Sequence, residues 1–193
     1  VGLNARTVAL VAGADTGPGR QVARSLAERG AHVLLGAPDG GRAAARALDG
    51  LDVRPLLLDP ADAAAVRAAA DALAAAYGRL DALVNAGFAD LPPEVRVISV
   101  FRVTRAMLPL LLRSRAGRVV NPAAVAPDGP PTPVGAALDA LTLHCANALR
   151  GTNVKVNAVA AGGAPVAVRL ATLAPDGPTG EAHGPDGTVP WPP

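Results

Sequence analysis

The chain has 193 residues, 50% of them apolar and only 2% aromatic, with a formal charge of +2. That length suits one domain with a full core, packed mainly by Ala, Val and Leu. The arginines are scattered, and no basic tract is interleaved with aromatics, which argues against a nucleic-acid groove.

The first pattern in the chain is an apolar run, and Thr7 to Ala12 reads as a strand. It falls far short of the roughly 18 residues a membrane span needs. It also lacks the basic leader and cleavage site of a signal peptide. The run empties into Gly13-Ala14-Asp15-Thr16-Gly17-Pro18-Gly19. A helix from about Pro18 to Arg29 follows, with Val22 and Leu26 on one face and Gly30 as its stop. Ala31 to Gly36 is a second strand. Pro38-Asp39-Gly40-Gly41 turns into a short Ala/Arg helix to Leu48, and Val53 to Leu58 is a third strand. Asp59-Pro60-Ala61-Asp62 opens a helix to Tyr77, with Asp62 as N-cap and Val66, Ala70, Leu73 and Tyr77 facing inward. Asp81 to Val84 is a fourth strand, ending in Asn85-Ala86-Gly87.

The helix from about Glu94 to Ser114 carries a stripe of Phe101, Thr104, Leu108 and Leu111, with Arg102, Arg105 and Arg113 outward. Gly117 to Asn121 is a fifth strand, and Pro122 to Pro133 is irregular. A helix from about Val134 to Leu149 sets Leu138, Leu141, Cys145 and Ala148 on one side. Val154 to Ala160 is a sixth strand and Ala164 to Leu173 a short helix. The Gly/Pro-rich tail has room for one more strand near Gly180 to His183. Alternating strands and helices predict an α/β fold, a Rossmann-like doubly wound parallel sheet of six to seven strands with helices on both faces. It reads as a single domain over 1–193.

One cysteine, Cys145, forbids an intrachain disulfide and fits a reducing, cytoplasmic setting. Cys145 with His32, His144 and His183 lacks the spacing of a zinc site, so no metal is expected.

Glycines 13, 17 and 19 form a G-x-x-x-G-x-G turn after the first strand and at the start of the first helix. A strand's carboxyl end there presents backbone N–H groups to phosphates. Asn85-Ala86-Gly87 adds a second element at the same sheet edge. Together they resemble the short-chain dehydrogenase/reductase family over nearly the whole chain. Arg102-Val-Thr-Arg-Ala-Met-Leu-Pro-Leu-Leu-Leu-Arg-Ser-Arg-Ala-Gly-Arg-Val-Val-Asn121 is similar to its carbonyl-reductase-like branch. So are Leu170-Ala-Thr-Leu-Ala-Pro-Asp-Gly-Pro-Thr-Gly180 and Val189-Pro190-Trp191. Lys155-Val156-Asn157-Ala158-Val159 resembles the family's sixth strand.

The resemblance implies an NAD(P)-dependent reductase of carbonyl groups. In that family a Tyr donates the proton, and a Lys four residues later lowers its pKa and holds the ribose. A Ser binds the carbonyl oxygen and an Asn organises a water relay. This chain departs at all four positions. Where the family reads Asn-x-Ser-Ser it has Asn121-Pro122-Ala123-Ala124. Matching Ala136-Ala137-Leu138 to the family puts Pro131 at the Tyr position and Gly135 at the Lys position, and the Asn falls at Arg96. No shift of register restores the pair, because the only tyrosine is Tyr77 and the only lysine is Lys155. The loops after Gly87 and Ala124 and the stretch from Asn157 to Leu170 are shorter than the family's, leaving little to exclude water. Ordinary carbonyl-reductase activity is therefore not expected.

On the cofactor side the resemblance assigns NADP or NAD to Gly13, Gly17, Pro18, Gly19, Asp59, Asn85, Ala86 and Gly87, with weakened binding. Ala12 and Pro18 stand where Thr and Ile are usual, and Pro18 has no N–H. One donor to the pyrophosphate is then lost, about 1–2 kcal/mol. Proline is equally at home in a helix's first turn. Asp15 adds a negative charge near the phosphates. Asp59 matches the residue beside the adenine and equally reads as a turn former. Pro38 replaces the NADP-type Arg, Gly36 and Ala37 lack the NAD-type acid, and Arg42 remains for a 2′-phosphate, so the choice of NAD or NADP stays open.

Other readings stand beside this one. A divergent NAD(P)-dependent oxidoreductase of carbonyl compounds is one. Arg96 with Asp139, one turn beyond Gly135, reads as a salt bridge or as the acid/base set of a non-redox cyclase or isomerase. His144 should face away from the site. Family members commonly dimerise through the helices at 94–114 and 134–149, which implies a homo- or hetero-oligomer.

Overall fold

Every residue of β1 (Val8–Ala12) is buried, and successive side chains enter two different cores. Val8, Leu10 and Ala12 point to one face of a sheet, Ala9 and Val11 to the other, as the two-residue period of a strand dictates. The computed structural model describes residues 7–15, 17–86, 88, 91–123, 132–160 and 163–191. The other strands are β2 (His32–Ala37), β3 (Val53–Leu57), β4 (Ala82–Asn85), β5 (Arg118–Pro122), β6 (Lys155–Val159), β7 (Ala182–Gly184) and β8 (Gly187–Val189). They lie in the order β3-β2-β1-β4-β5-β6-β7-β8, parallel except for the antiparallel β7–β8 pair.

The helices are α1 (Gly17–Glu28), α2 (Arg42–Ala47), α3 (Ala63–Tyr77), α4 (Pro93–Leu111), α5 (Pro133–Ala148) and α6 (Gly163–Ala171). α3, α4 and α5 cover one face through Val66, Leu73, Val100, Val103, Met107 and Leu138. α1, α2 and α6 cover the other through Val22, Leu26, Ala44, Ala167 and Leu170. Burying a Leu or Val side chain fully stabilises by about 1.5–3 kcal/mol, so an aromatic-poor core suffices. None of the helices among the described residues is long and apolar enough to cross a membrane.

Local chemistry ends the helices where the sequence marks them. Asp62 accepts the Ala64 N–H at 2.7 Å at the head of α3. Gly30, at φ 88°, closes α1 with its N–H on the Ala27 carbonyl at 2.8 Å and the Ala31 N–H on Leu26 at 3.2 Å. At the amino end of β5, Arg118 is 2% exposed with no carboxylate partner among the described residues. Its Nε and Nη2 donate to the Leu173 carbonyl at 3.0 and 2.8 Å, Nη2 to Ala174 at 2.7 Å, and Nη1 to Gly117 at 2.7 Å. The guanidinium thus ties the chain leaving α6 to the middle of the sheet, and desolvation holds its pKa below the usual arginine value.

Four sequence expectations need correcting. The sheet has eight strands rather than six to seven, because the tail folds back as the β7–β8 hairpin. On α4 the buried face is Val100, Val103, Thr104, Met107, Leu110 and Leu111, while Phe101 is exposed and Leu108 half-buried. α4 packs on the sheet, on α3 and on α5, so apolar residues lie on more than one side of it and periodicity alone does not fix its phase. On α5, Leu138 is buried as expected, but Gly135, Asp139, Thr142 and Ala146 complete that face and Ala148 is exposed. The two helices span Pro93–Leu111 and Pro133–Ala148 rather than 94–114 and 134–149.

The chain lays down β1, β2 and β3 in one direction, then returns to place β4 on the other side of β1. A crevice opens at such a reversal, outside the carboxyl ends of the strands.

Candidate functional site

The turn after β1 sits at that crevice. Gly13 takes φ 84°, a left-handed conformation that glycine adopts without strain. The Gly13 and Ala14 N–H groups both donate to the Gly36 carbonyl on β2, at 2.8 and 3.1 Å. β1 and β2 can approach because residue 36 has no side chain; a Cβ there would lie 3.3 Å from the Val11 carbonyl oxygen. Thr16 lies outside the described residues. Gly17 and Pro18, which open α1, are exposed, and a Cβ on Gly17 would meet nothing within 4 Å. Gly19 is buried against the sheet. The first turn of α1 therefore presents its backbone to open space, with one N–H missing at Pro18.

Positive charge flanks this opening. Gly17, Arg20, Gln21 and Arg24 line an open depression of about 240 Å³ along the outer face of α1. Arg20 Nη2 donates to the Asp15 carbonyl at 3.2 Å, and Arg24 Nη2 to Ala47 at 3.0 Å. The Asp15 side chain is exposed, and so are Pro38 and Arg42.

Beside the turn, the Ala86 N–H donates to the Ala12 carbonyl at 2.8 Å and fixes the end of β4. Asn85 is 3% exposed. Its Nδ2 donates to Thr104 Oγ1 on α4 at 3.1 Å and to Asn121 Oδ1 on β5 at 2.8 Å. Asn121 Nδ2 in turn donates to Thr142 Oγ1 on α5 at 3.0 Å. Asn85 Oδ1 is buried and accepts no hydrogen bond among the described residues. Asp59 behaves as a turn former: Oδ1 accepts the Ala61 N–H at 2.9 Å. Gly87 lies outside the described residues.

Of the four positions where the resemblance calls for catalytic groups, Ala124 and Pro131 also lie outside the described residues. Arg96 is in the first turn of α4, where Nη2 donates to the Leu91 carbonyl at 3.2 Å. Gly135 is buried, and its N–H donates to Thr132 Oγ1 at 3.2 Å, so this position completes the N-cap of α5. Asp139 is 4% exposed, on the same face of α5, and His144 is exposed. Tyr77 is half-buried at the far end of α3, hydrogen-bonded to His32 Nε2 at 2.8 Å. Lys155 begins β6. Both belong to the amino edge of the sheet, opposite the glycine turn. Among the described residues no cluster of three or more His, Cys, Asp or Glu side chains is placed to hold a metal.

The buried network of Asn85, Asn121, Thr104 and Thr142 is wider than the sequence suggests. Its signal was the polar residue closing an apolar strand, which occurs at both Asn85 and Asn121.

The description "short chain dehydrogenase" belongs to the family model that matches residues 7–172. The D-threitol dehydrogenase of Mycolicibacterium smegmatis is 35% identical over 207 aligned residues, 91% of this chain and 76% of that protein. The 3-oxoacyl-acyl-carrier-protein reductase FabG of Thermotoga maritima is 29% identical over 179 residues, 80% of this chain and 73% of that one. Among solved structures, the Pseudomonas aeruginosa RhlG/NADP active-site complex is 28% identical with a TM-score of 0.80, covering 94% of this chain and 95% of its own. With the strand order, the glycine turn and this match in agreement, the chain belongs to the short-chain dehydrogenase/reductase family.

Proposed function

We propose that the chain holds NADP or NAD at the carboxyl edge of β1, β2 and β4 and does not perform the family's carbonyl reduction. The observation that carries this reading is the location of the only tyrosine and the only lysine. Tyr77 is bonded to His32 and Lys155 opens β6, both at the amino edge. No Tyr–Lys pair is available where a nicotinamide would lie. Cofactor binding is supported by the NADP in the RhlG complex and by the open face at Gly17. Gly13, Gly17, Pro18 and Gly19 would face the phosphates, with Asp59, Asn85, Ala86 and Gly87 around the rest of the dinucleotide. A bound cofactor would supply a hydride donor or acceptor. The missing N–H of Pro18 weakens its hold.

Calorimetric titration with NADH and NADPH, on the protein and on Pro18→Ile, tests the binding half. Binding should be weak and tighten in the variant; no binding by either overturns it. NADPH oxidation with a broad carbonyl panel tests the other half. A rate above a protein-free control overturns it and favours a divergent carbonyl oxidoreductase.

Ile98, Phe101 and Leu112 are exposed on one side of α4. That apolar face supports pairing with a second copy of the chain through α4 and α5. The single thiol supports a reducing, cytoplasmic setting.

A further inference from the structure

At the amino edge of the sheet three side chains from distant parts of the chain meet in a line. Tyr77, the last residue of α3, places its hydroxyl 2.8 Å from Nε2 of His32, the first residue of β2. Nδ1 of the same ring lies 2.8 Å from Oδ1 of Asp52, just before β3. A carboxylate only accepts hydrogen bonds, so Nδ1 carries the ring proton. With the ring neutral, Nε2 is then an acceptor to which the phenol donates. This is the order of nucleophile, base and orienting carboxylate.

The backbone holds the line in place. The His32 N–H donates to the Thr7 carbonyl at 2.9 Å, and the Val33 N–H donates to Asp52 at 3.0 Å, fixing Asp52 beside the imidazole. The phenol and imidazole rings are 5.1 Å apart at centroid and tilted by 42°. The His32 side chain is 14% exposed and that of Asp52 53%, so the far end of the line reaches water. Around Tyr77 the chain is small: Ala74, Ala75 and Ala76 are exposed, and a Cβ on Gly78 would meet nothing within 4 Å. Tyr77 itself is half-buried, packed on one side against the core and flanked in sequence by these small residues. The Asp52 carboxylate disfavours an anionic reagent and leaves neutral ones.

We propose that Tyr77, His32 and Asp52 form a base-activated nucleophile, and that Tyr77 is an acyl-acceptor site for neutral activated acyl donors. The phenol oxygen bonds to the acyl carbonyl carbon while its proton passes to His32 Nε2, and Asp52 holds the ring as it becomes cationic. The bond from the acyl carbon to the leaving group then breaks. The leaving group departs with the electron pair and takes the proton from the imidazolium. The product is an O-acyl tyrosine, with no change of oxidation state. The site lies across the sheet from the glycine turn and is independent of the cofactor reading.

N-acetylimidazole is the probe. Because Tyr77 is the only tyrosine, a hydroxylamine-reversible loss of phenol absorbance reports this site alone. General-base help contributes on the order of 10²–10⁴-fold in enzymes. Acetylation of the full chain at least tenfold faster than of N-acetyltyrosinamide is expected, falling to the free-tyrosine rate or below in His32→Gln. Asp52→Asn, at an exposed residue that should leave the fold intact by circular dichroism, should slow it several-fold. A chain rate no faster than that of N-acetyltyrosinamide overturns the proposal. So does a rate unchanged in folded His32→Gln, or unchanged in Asp52→Asn should His32→Gln not fold.

Discussion

Asn85 and Asn121 lie side by side at the ends of β4 and β5, with Nδ2 of the first donating to Oδ1 of the second at 2.8 Å. This bond is the centre of a buried chain that runs from Thr104 on α4 to Thr142 on α5. Removing Asn121 would strand donors and acceptors on both sides in a dry environment. Asn121→Ala should therefore destabilise by about 2–3 kcal/mol. Urea unfolding measures this, and a loss near zero would show that the network tolerates a gap.

Arg118 contributes at the other edge of the sheet. Its guanidinium satisfies the carbonyls of Gly117, Leu173 and Ala174 from a 2% exposed position. Arg118→Met keeps the stem and deletes these bonds, so a cost of about 3 kcal/mol is expected from the orphaned carbonyls. Arg118→Lys should recover only part of it, because an ammonium cannot reproduce the planar fork. Thermal and urea unfolding of the two variants decide this.

At the glycine turn, Pro18→Ile returns an N–H to the first turn of α1. A hydrogen bond to a charged acceptor of about 1–2 kcal/mol corresponds to a gain of roughly 5- to 30-fold in dinucleotide affinity. Equal dissociation constants for protein and variant would show that this amide does not meet the phosphates.

Cys145 is half-buried beside the core under α5, and desolvation pushes its thiol up from the ordinary cysteine value. The thiolate is the form that the fold disfavours. The associated stability is fully present below the unfolded cysteine value and is lost as pH rises through the higher folded one. Alkaline unfolding should therefore be milder in Cys145→Ala. Below that range, Ellman's reagent should react with folded protein more slowly than with urea-unfolded protein.

On α4, Phe101→Glu places a charge in the exposed apolar face with Ile98 and Leu112. Light scattering should show a pair of chains for the protein and a single chain for the variant, with unchanged circular dichroism.

Much of this molecule was legible in its sequence, because short-range rules govern it. The alternating burial of β1, the N-cap at Asp62 and the stop at Gly30 follow from residue types and spacing. The phase of α4 was not legible. With Val100, Phe101, Val103, Met107 and Leu108 all apolar, only the packing of α3 and α5 shows that Phe101 turns outward. β8 is three residues long, too short for any period to mark it. The bond between Tyr77 and His32 joins residues 45 apart in sequence, and the Asn85–Asn121 bond residues 36 apart, so no local pattern announces either. Composition narrowed the proton-transfer question to two residues, because Tyr77 is the only tyrosine and Lys155 the only lysine.

The Gly36 carbonyl holds the first two N–H groups of the glycine turn, those of Gly13 and Ala14. That corner is therefore a finished piece of β2's own scaffolding. A phosphate arriving there has no disordered corner to organise, and the entropy of forming it was already surrendered when the sheet folded. Loss of a ligand would leave the corner standing.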